Sequence, residues 1–104
     1  MYYELRTYRL KTGAVPQYLK LVEDEGLAIQ AGHLGGLAGY FVTEIGPQNE
    51  VTHLWAYPSL DAREQRRAAL MQDERWAAFI PKIQALIETM ETKILRPALF
   101  SPLR

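Results

Sequence analysis

The residues best suited to chemistry in this sequence lie in one stretch, residues 51–57. A strand turns successive side chains to opposite faces, so the stretch carries two different sets. One set is His53, Trp55 and Tyr57, and the other is Leu54 and Ala56. We expect the small aliphatic face to pack against a helix. The aromatic face is too polar for plain core and too aromatic for water, so we expect it to line a covered pocket.

His53 is the most suggestive single residue, because an imidazole titrates near neutral pH. One hypothesis makes it a catalytic general base, or a ligand to haem or a metal ion. The alternative is a histidine that is hydrogen-bonded inside a subunit interface. A single histidine without a second ligand is weak evidence for a metal site, and we predict no cofactor.

A charged and phenolic group lies on the strand predicted at residues 2–10, where Glu4, Arg6 and Tyr8 share one face. Arg6 could hold the carboxylate of an acidic substrate, or the group could bind a phenol. The alternative is an ion pair of Glu4 with Arg6 or with a neighbouring strand. If the face is buried, these charges must be paired, since an isolated buried charge is prohibitive.

Two further groups have both a binding and a structural interpretation. Tyr40, Trp55 and Tyr57 could line a pocket for a flat, apolar ligand, or they could be interface aromatics without a ligand. Three arginines follow one another in a predicted helix at 63, 66 and 67, and they could bind an anion. A charged row on a helix is more often its solvated face. His33, among glycines, is most simply a loop residue.

Periodicity and turn residues divide the chain into alternating strands and helices. Strands are predicted at 2–10, 37–45, 51–57 and 92–96. A first helix follows Pro16 and stops near Gly32. A second begins at the N-cap Ser59, and a third begins at the second cap Asp73 and keeps helical spacing to Met90. Pro81 predicts a kink or a division of this last helix.

This order predicts an α+β fold of the ferredoxin-like type, βαββαβ, with one antiparallel sheet and its helices on one face. We expect a single domain, residues 1–104, that ends in a proline-punctuated tail at 97–104. An aromatic sheet face would be too apolar for a monomer to expose. We therefore predict a homodimer, which could assemble further, whose two sheets enclose an interior around a small apolar or aromatic ligand.

Composition excludes several partners and chemistries. Twelve basic residues balance twelve acidic ones, so nucleic acid is not an expected partner. The sequence has no cysteine, which excludes thiol catalysis and cysteine-bound metals. No apolar run approaches the roughly 18 residues of a membrane span, and the first residues lack the apolar core of a signal peptide. We expect a cytoplasmic protein.

Four blocks of sequence, in this order, resemble the NIPSNAP family. They are residues 3–10 (YELRTYRL), 39–47 (GYFVTEIGP), 53–57 (HLWAY) and 94–97 (ILRP). The resemblance implies the dimeric α/β-barrel fold. It does not imply a reaction, because most bacterial members of the family have no assigned activity and the family has no agreed catalytic motif. Related dimeric barrels include cofactor-independent monooxygenases, haem-degrading enzymes and small lactone isomerases, so fold does not settle chemistry.

Two functional hypotheses follow. The first, which we favour, is a non-catalytic module that binds a small molecule or serves in an interaction. The second is a cofactor-independent monooxygenase or isomerase. His53 would then accept a proton, Tyr8 and Tyr57 would orient the substrate, and Trp55 would stack on it. A haem-binding variant would use His53 as the axial ligand.

Overall fold

A computed structural model describes all residues, 1–104, and contains four strands and four α-helices. The strands are β1 Tyr2–Leu10, β2 Leu37–Val42, β3 Glu50–Tyr57 and β4 Ile87–Leu95. The helices are α1 Val15–Leu21, α2 Leu27–Leu34, α3 Leu60–Gln72 and α4 Glu74–Gln84. A π-helical turn, Val22–Gly26, joins α1 to α2.

The four strands form one antiparallel sheet in the order β2-β3-β1-β4. This order and the helices on one face confirm the ferredoxin-like α+β prediction. In the central pair, Arg6 of β1 lies opposite His53 of β3, and Glu4 lies opposite Trp55. On β2, Tyr40 lies opposite His53 from the other side. The register therefore gathers most of the predicted site residues on one face.

That face is covered by the chain's own helices, which corrects the prediction from sequence. His53, Trp55 and Tyr57 are 0% exposed within a single chain. Trp55 and Tyr57 belong to a core cluster with Tyr18 and Leu34 from the first helical segment. The physical reason is that large aromatic side chains offer the most apolar area to bury, so the helices pack on them. The small aliphatic face with Leu54 and Ala56 is the one left open.

The first helical segment runs further than predicted. It continues past Gly32 to Leu34 and ends where Gly35 adopts a φ of +63°. Gly36 follows with a φ of +52°, and its backbone packs so closely on Ala56 that a side chain would overlap the Ala56 carbonyl. Two successive glycines are therefore needed to turn the chain back into β2.

The caps of the second half and the helices that follow them were predicted correctly, and the end of the last helix was not. The Ser59 hydroxyl accepts a hydrogen bond from the Ala62 amide at 3.0 Å, and the Asp73 carboxylate accepts one from the Arg75 amide at 2.8 Å. Helix α4 passes through Pro81 without dividing. It ends at Gln84, and Leu86 lies in the turn that follows. Ile87 and Met90 belong to β4, because hydrogen bonding to β1 outweighs their helical spacing.

Two peripheral features complete the fold. β2 ends at Val42, so the residues predicted to extend it to 45 lie in the turn before β3. Residues 96–104 form no regular element, and the side chains of Leu99 and Phe100 are more than nine-tenths exposed. None of the helices has the length and apolar character that crossing a bilayer requires.

Candidate functional site

A cavity of about 170 Å³ lies between the sheet and the helices. Most of its wall is apolar and comes from the helices, including Trp76 and Phe79 of α4. The polar part of the wall is Arg6, Tyr8, Gln30, His53, Arg67 and Gln84. An apolar chamber with a few convergent polar groups is the usual form of a small-molecule site.

A hydrogen bond from Trp55 fixes the chemistry of His53. The Trp55 Nε1–H donates to His53 Nδ1 at 2.6 Å, and both side chains are buried. An indole nitrogen can only donate, so Nδ1 must be the unprotonated nitrogen of the imidazole. The ring proton of neutral His53 therefore resides on Nε2.

The His53 Nε2–H has no hydrogen-bond partner in the chain, although it is buried. A buried polar group without a partner costs free energy, and such exceptions require an explanation. Burial and the charge of Arg6 lower the pKa of His53 from 6.5 to about 3. At neutral pH His53 is thus an uncharged imidazole with one unpaired hydrogen-bond donor, at the edge of the cavity that it lines.

Two tyrosine rings hold the imidazole in place. Tyr40 stacks on His53 with ring centroids 4.5 Å apart and planes at 7°, whereas Tyr8 meets it edge-on at 4.9 Å and 83°. The Tyr40 hydroxyl is hydrogen-bonded to the Tyr18 hydroxyl of α1 at 2.6 Å. Burial raises the pKa of Tyr40 to about 12 and also raises the pKa of Tyr18, so both hydroxyls keep their protons. The imidazole is preorganised, since its ring plane is fixed from both sides.

A buried ion network positions Arg6, which is the second hydrogen-bond donor on the cavity wall. Arg6 donates to the Glu4 carboxylate at 2.8 Å and to the Tyr8 hydroxyl at 2.8 Å. Arg63 of α3 donates two bonds to Glu4 at 3.2 and 3.1 Å. Burial alone would raise the pKa of Glu4, but the bonds from Arg63 and Arg6 lower it below its ordinary value. The structure thus contains the ion pair that was the alternative to a substrate clamp.

Of the seven candidate residues on the strands, three reach the cavity, three support those and Tyr57 does neither. Arg6, Tyr8 and His53 line the wall. Trp55 does not reach the cavity, and its contact with His53 replaces the expected stacking on a ligand. The other two supporting residues are Glu4, which holds Arg6, and Tyr40, which stacks on His53. Tyr57 lies in the core cluster, and its buried hydroxyl has no partner.

The arginines of α3 were expected on a solvated face, and the structure places them inward. Arg63 binds Glu4, Arg66 donates to the Leu34 carbonyl at 3.0 Å, and Arg67 lines the cavity. A sequence signal for this was present: positions 63, 67 and 70 follow the i, i+4, i+7 spacing of one face, and Leu70 is buried. His33, expected in a loop, lies in the last turn of α2 and is hydrogen-bonded to Asp73 at 2.8 Å.

The site does not fit haem or a protein-bound metal. No group of three or more histidine, cysteine, aspartate or glutamate residues could hold a metal ion. Both nitrogens of His53 are unavailable as ligands, since Nδ1 accepts from Trp55 and Nε2 carries the proton. A cavity of about 170 Å³ is also close to the size that accommodates a single benzene ring. A macrocycle would require the helices to move away from the sheet.

The fold and the cavity define the class as a ferredoxin-like α+β domain with a chamber between its sheet and helices. The sequence profile of the NIPSNAP family matches residues 3–102. The chain therefore belongs to the NIPSNAP family, as the resemblance in the four sequence blocks implied.

Three comparisons show what this chain is similar to. The crystal structure of protein Atu4242 from Agrobacterium tumefaciens is 63% identical over the whole of both chains, with a TM-score of 0.97, and is described as a NIPSNAP family protein with unknown function. Protein NipSnap homolog 1 of Danio rerio is 33% identical over 98% of this chain and 36% of its own. An antibiotic biosynthesis monooxygenase is 16% identical over 94% of this chain and 99% of its own, with a TM-score of 0.67, which shows a shared fold alone.

The chain spans about a third of the length of the curated relatives it matches. Those relatives therefore contain sequence outside the matched domain.

Proposed function

We propose that this chain is a small-molecule-binding domain whose ligand is a compact, planar molecule with an anionic oxygen. The ligand occupies the cavity between the sheet and the helices. One observation carries the proposal, which is the buried His53 Nε2–H: it has no hydrogen-bond partner in the chain, and His53 is one of the residues that line the cavity. A ligand oxygen that accepts this hydrogen bond would remove the cost of leaving the donor unpaired.

Charge and volume narrow the ligand class. Arg6 and Arg67 both line the cavity, and no carboxylate does, so the chamber favours negative charge. Its volume of about 170 Å³ corresponds to about one aromatic ring with a small substituent. Carboxylates, phenolates and enolates of one-ring compounds satisfy both conditions. The apolar helical wall would cover the ring, and His53 and Arg6 would bind the oxygen.

Calorimetric titration with benzoate and its neutral isostere benzamide tests this proposal. The wild-type chain should bind benzoate, and benzamide should bind more weakly because it brings no charge to Arg6. His53→Phe keeps a ring but removes the donor, so benzoate affinity should fall about ten- to hundredfold. His53→Gln keeps an amide donor and serves as the control, with a smaller loss. The proposal is wrong if benzoate does not bind, or if His53→Phe binds it as tightly as the wild type.

A second candidate is an enzyme, a cofactor-independent oxygenase or isomerase that uses the same cavity. The observation in its favour is that His53 and Arg6 could stabilise negative charge on a substrate oxygen, as in an enolate. His53 would then act as a donor and not as the proton acceptor expected from sequence, because Nδ1 is held by Trp55. The C–H proton would leave to solvent and solvent would return a deuteron, while His53 and Arg6 hold the enolate oxygen, so deuterium incorporation next to the carbonyl of phenylpyruvate in D₂O measures this activity. Equal rates for wild type and His53→Phe would eliminate this candidate.

The assembly we propose remains a homodimer that pairs the open sheet faces. This pairing uses the opposite face from the one predicted, because the chain's own helices cover the aromatic face. On the open face, Leu5, Leu54 and Ala56 are half-buried, and Phe41 is 56% exposed. A second copy would remove this apolar area from water. Sedimentation equilibrium should then give twice the chain mass of 11.9 kDa.

A further inference from the structure

The helical segment over the cavity presents a stripe of buried residues at every fourth position. They are Tyr18, Val22, Gly26, Gln30 and Leu34. An α-helix has 3.6 residues per turn, so each four-residue step passes a full turn by about 40°, and four steps would accumulate about 160°. A regular helix would therefore turn one end of the stripe away from the sheet.

The π-helical turn Val22–Gly26 offsets this drift. Its i→i+5 hydrogen bonds hold more residues in one turn than an α-helix does, so the stripe rotates less as the segment advances. Four of the five stripe residues line the cavity as a result, with Gly26 at the centre. π-Helical turns inside α-helices are frequent at functional sites, and this one faces the cavity directly.

Gly26 provides the space that the Phe79 ring occupies. A methyl group built at position 26 would overlap the ring atoms Cε2 and Cζ of Phe79. The ring is 3% exposed and lines the cavity from α4. The absence of a side chain at Gly26 therefore lets α4 insert Phe79 against the helix backbone. The cavity is what remains beside that ring.

We propose that the contact of Phe79 with Gly26 sets the size limit of the ligand, which admits one ring and rejects two fused rings. This inference rests on the proposed function, since it concerns the same cavity. A fused second ring adds four carbons to the ligand, and the six-carbon ring of Phe79 occupies more than that volume at the cavity wall. Phe79 is a specificity-determining residue, and Gly26 is the residue that positions it.

Titrations with benzoate and 2-naphthoate test the size limit. Wild type should bind benzoate and discriminate against 2-naphthoate. Phe79→Ala removes one ring from the wall, so the ratio of naphthoate affinity to benzoate affinity should rise at least about tenfold. Because the variant leaves a void in the core, thermal unfolding with each probe is the second measurement. Naphthoate should raise the melting temperature of Phe79→Ala more than that of wild type.

A substitution of Gly26, the residue that Phe79 contacts, provides an independent test. Gly26→Ala should displace the Phe79 ring into the cavity and weaken benzoate binding. The double variant Gly26→Ala with Phe79→Ala should recover it, because the new methyl group no longer meets a ring. Gly32→Ala is the matched control, since Gly32 lies in the same helical segment with open space around its Cβ position. Its benzoate affinity should equal that of wild type.

The outcomes separate this inference from the proposed function. If wild type binds benzoate and Phe79→Ala leaves the naphthoate-to-benzoate ratio unchanged, the size limit lies elsewhere and this inference is wrong. The same conclusion follows if wild type binds both probes equally. If neither wild type nor Phe79→Ala binds either probe, the proposed function fails, and the inference falls with it.

Discussion

At the scale of single residues, a neutral and orphaned imidazole is the feature that distinguishes this chain. His53 is surrounded by Trp55, Tyr40 and Tyr8, and each of them constrains it in a different way. Trp55 selects the tautomer, whereas the two tyrosines fix the ring. The consequence is a donor that is oriented before any ligand arrives, which reduces the ordering cost of binding.

The depressed pKa of His53 predicts a pH dependence of stability. Its folded-state pKa of about 3 lies below the ordinary 6.5, so the unfolded chain binds the extra proton when the pH falls below 6.5. The free energy of unfolding therefore contains a contribution from neutral His53 that is fully present above pH 6.5. As the pH falls from 6.5 toward 3, the free energy of unfolding decreases by up to about 1.4 kcal/mol per pH unit.

Urea unfolding at pH 7 and pH 5 measures this effect. The wild type should lose more stability between the two pH values than His53→Gln, which cannot titrate. Glu4 also has a lowered pKa, but its loss begins only near its ordinary value of 4.5, below this interval. Identical losses for wild type and His53→Gln would show that the imidazole does not stay neutral in the folded chain.

The Glu4 network predicts a large effect of a single buried carboxylate. Glu4 is 0% exposed and is bound by Arg6 and Arg63, so Glu4→Gln leaves two cations without their partner. Breaking a buried ion pair in this way costs about 3–5 kcal/mol. Glu88→Gln is the control, because its contact with Arg9 is 3.9 Å and exposed, and its loss should be below about 1 kcal/mol. Chemical unfolding curves of both variants measure the two losses of stability. Similar losses would show that burial of the ion pair does not increase its effect.

At the scale of elements, α3 has an unusual role, because its inward face is largely cationic. Arg63 and Arg67 descend from it toward the sheet, while Leu70 is its only buried apolar residue. The helix is thus attached by its arginines as much as by apolar packing. Arg66 strengthens the attachment through the carbonyl of Leu34 at the end of α2.

The N-cap of α3 should therefore contribute measurably to stability. Ser59→Ala removes the acceptor of the Ala62 amide and should cost about 1 kcal/mol. Ser59→Asp retains an acceptor oxygen and should stay close to wild type. Thermal or urea unfolding provides the comparison. Equal stabilities of all three proteins would mean that water replaces the cap without cost.

At the scale of the whole molecule, the two faces of the sheet have different proposed roles. One face holds the cavity under the helices, and the other is open and apolar at its centre. The proposed site therefore lies within one chain, and the proposed dimer would stabilise the sheet from behind. Assembly and ligand binding should be separable by mutation.

Leu54→Lys on the open face tests that separation. It places a charge at the centre of the proposed interface, where Leu54 pairs with Leu5, so the dimer should dissociate. Sedimentation velocity should show a shift from two chains to one, and benzoate affinity should be retained. Ala78→Lys, at an exposed position of α4, should leave the mass unchanged. A monomeric wild type, or an unaffected Leu54→Lys variant, contradicts the dimer proposal.

The sequence by itself determined the order of elements, the caps at Ser59 and Asp73, and the family. These follow from local rules, since alternation, helical spacing and capping side chains act between neighbours in the chain. It also grouped Glu4, Arg6 and Tyr8 on one face, because a strand has period two. The same local rules failed at Met90, where pairing with β1 overrode a helical spacing.

Only the tertiary structure decided which face of the sheet is covered. Alternation separates two faces without saying which one the helices take, and that choice depends on how much apolar area each face offers the helices. The direction of the α3 arginines, the wedge of Phe79 against Gly26 and the tautomer of His53 likewise depend on contacts between residues far apart in the chain. Those contacts define the cavity, and for this reason no local pattern in the sequence predicts it.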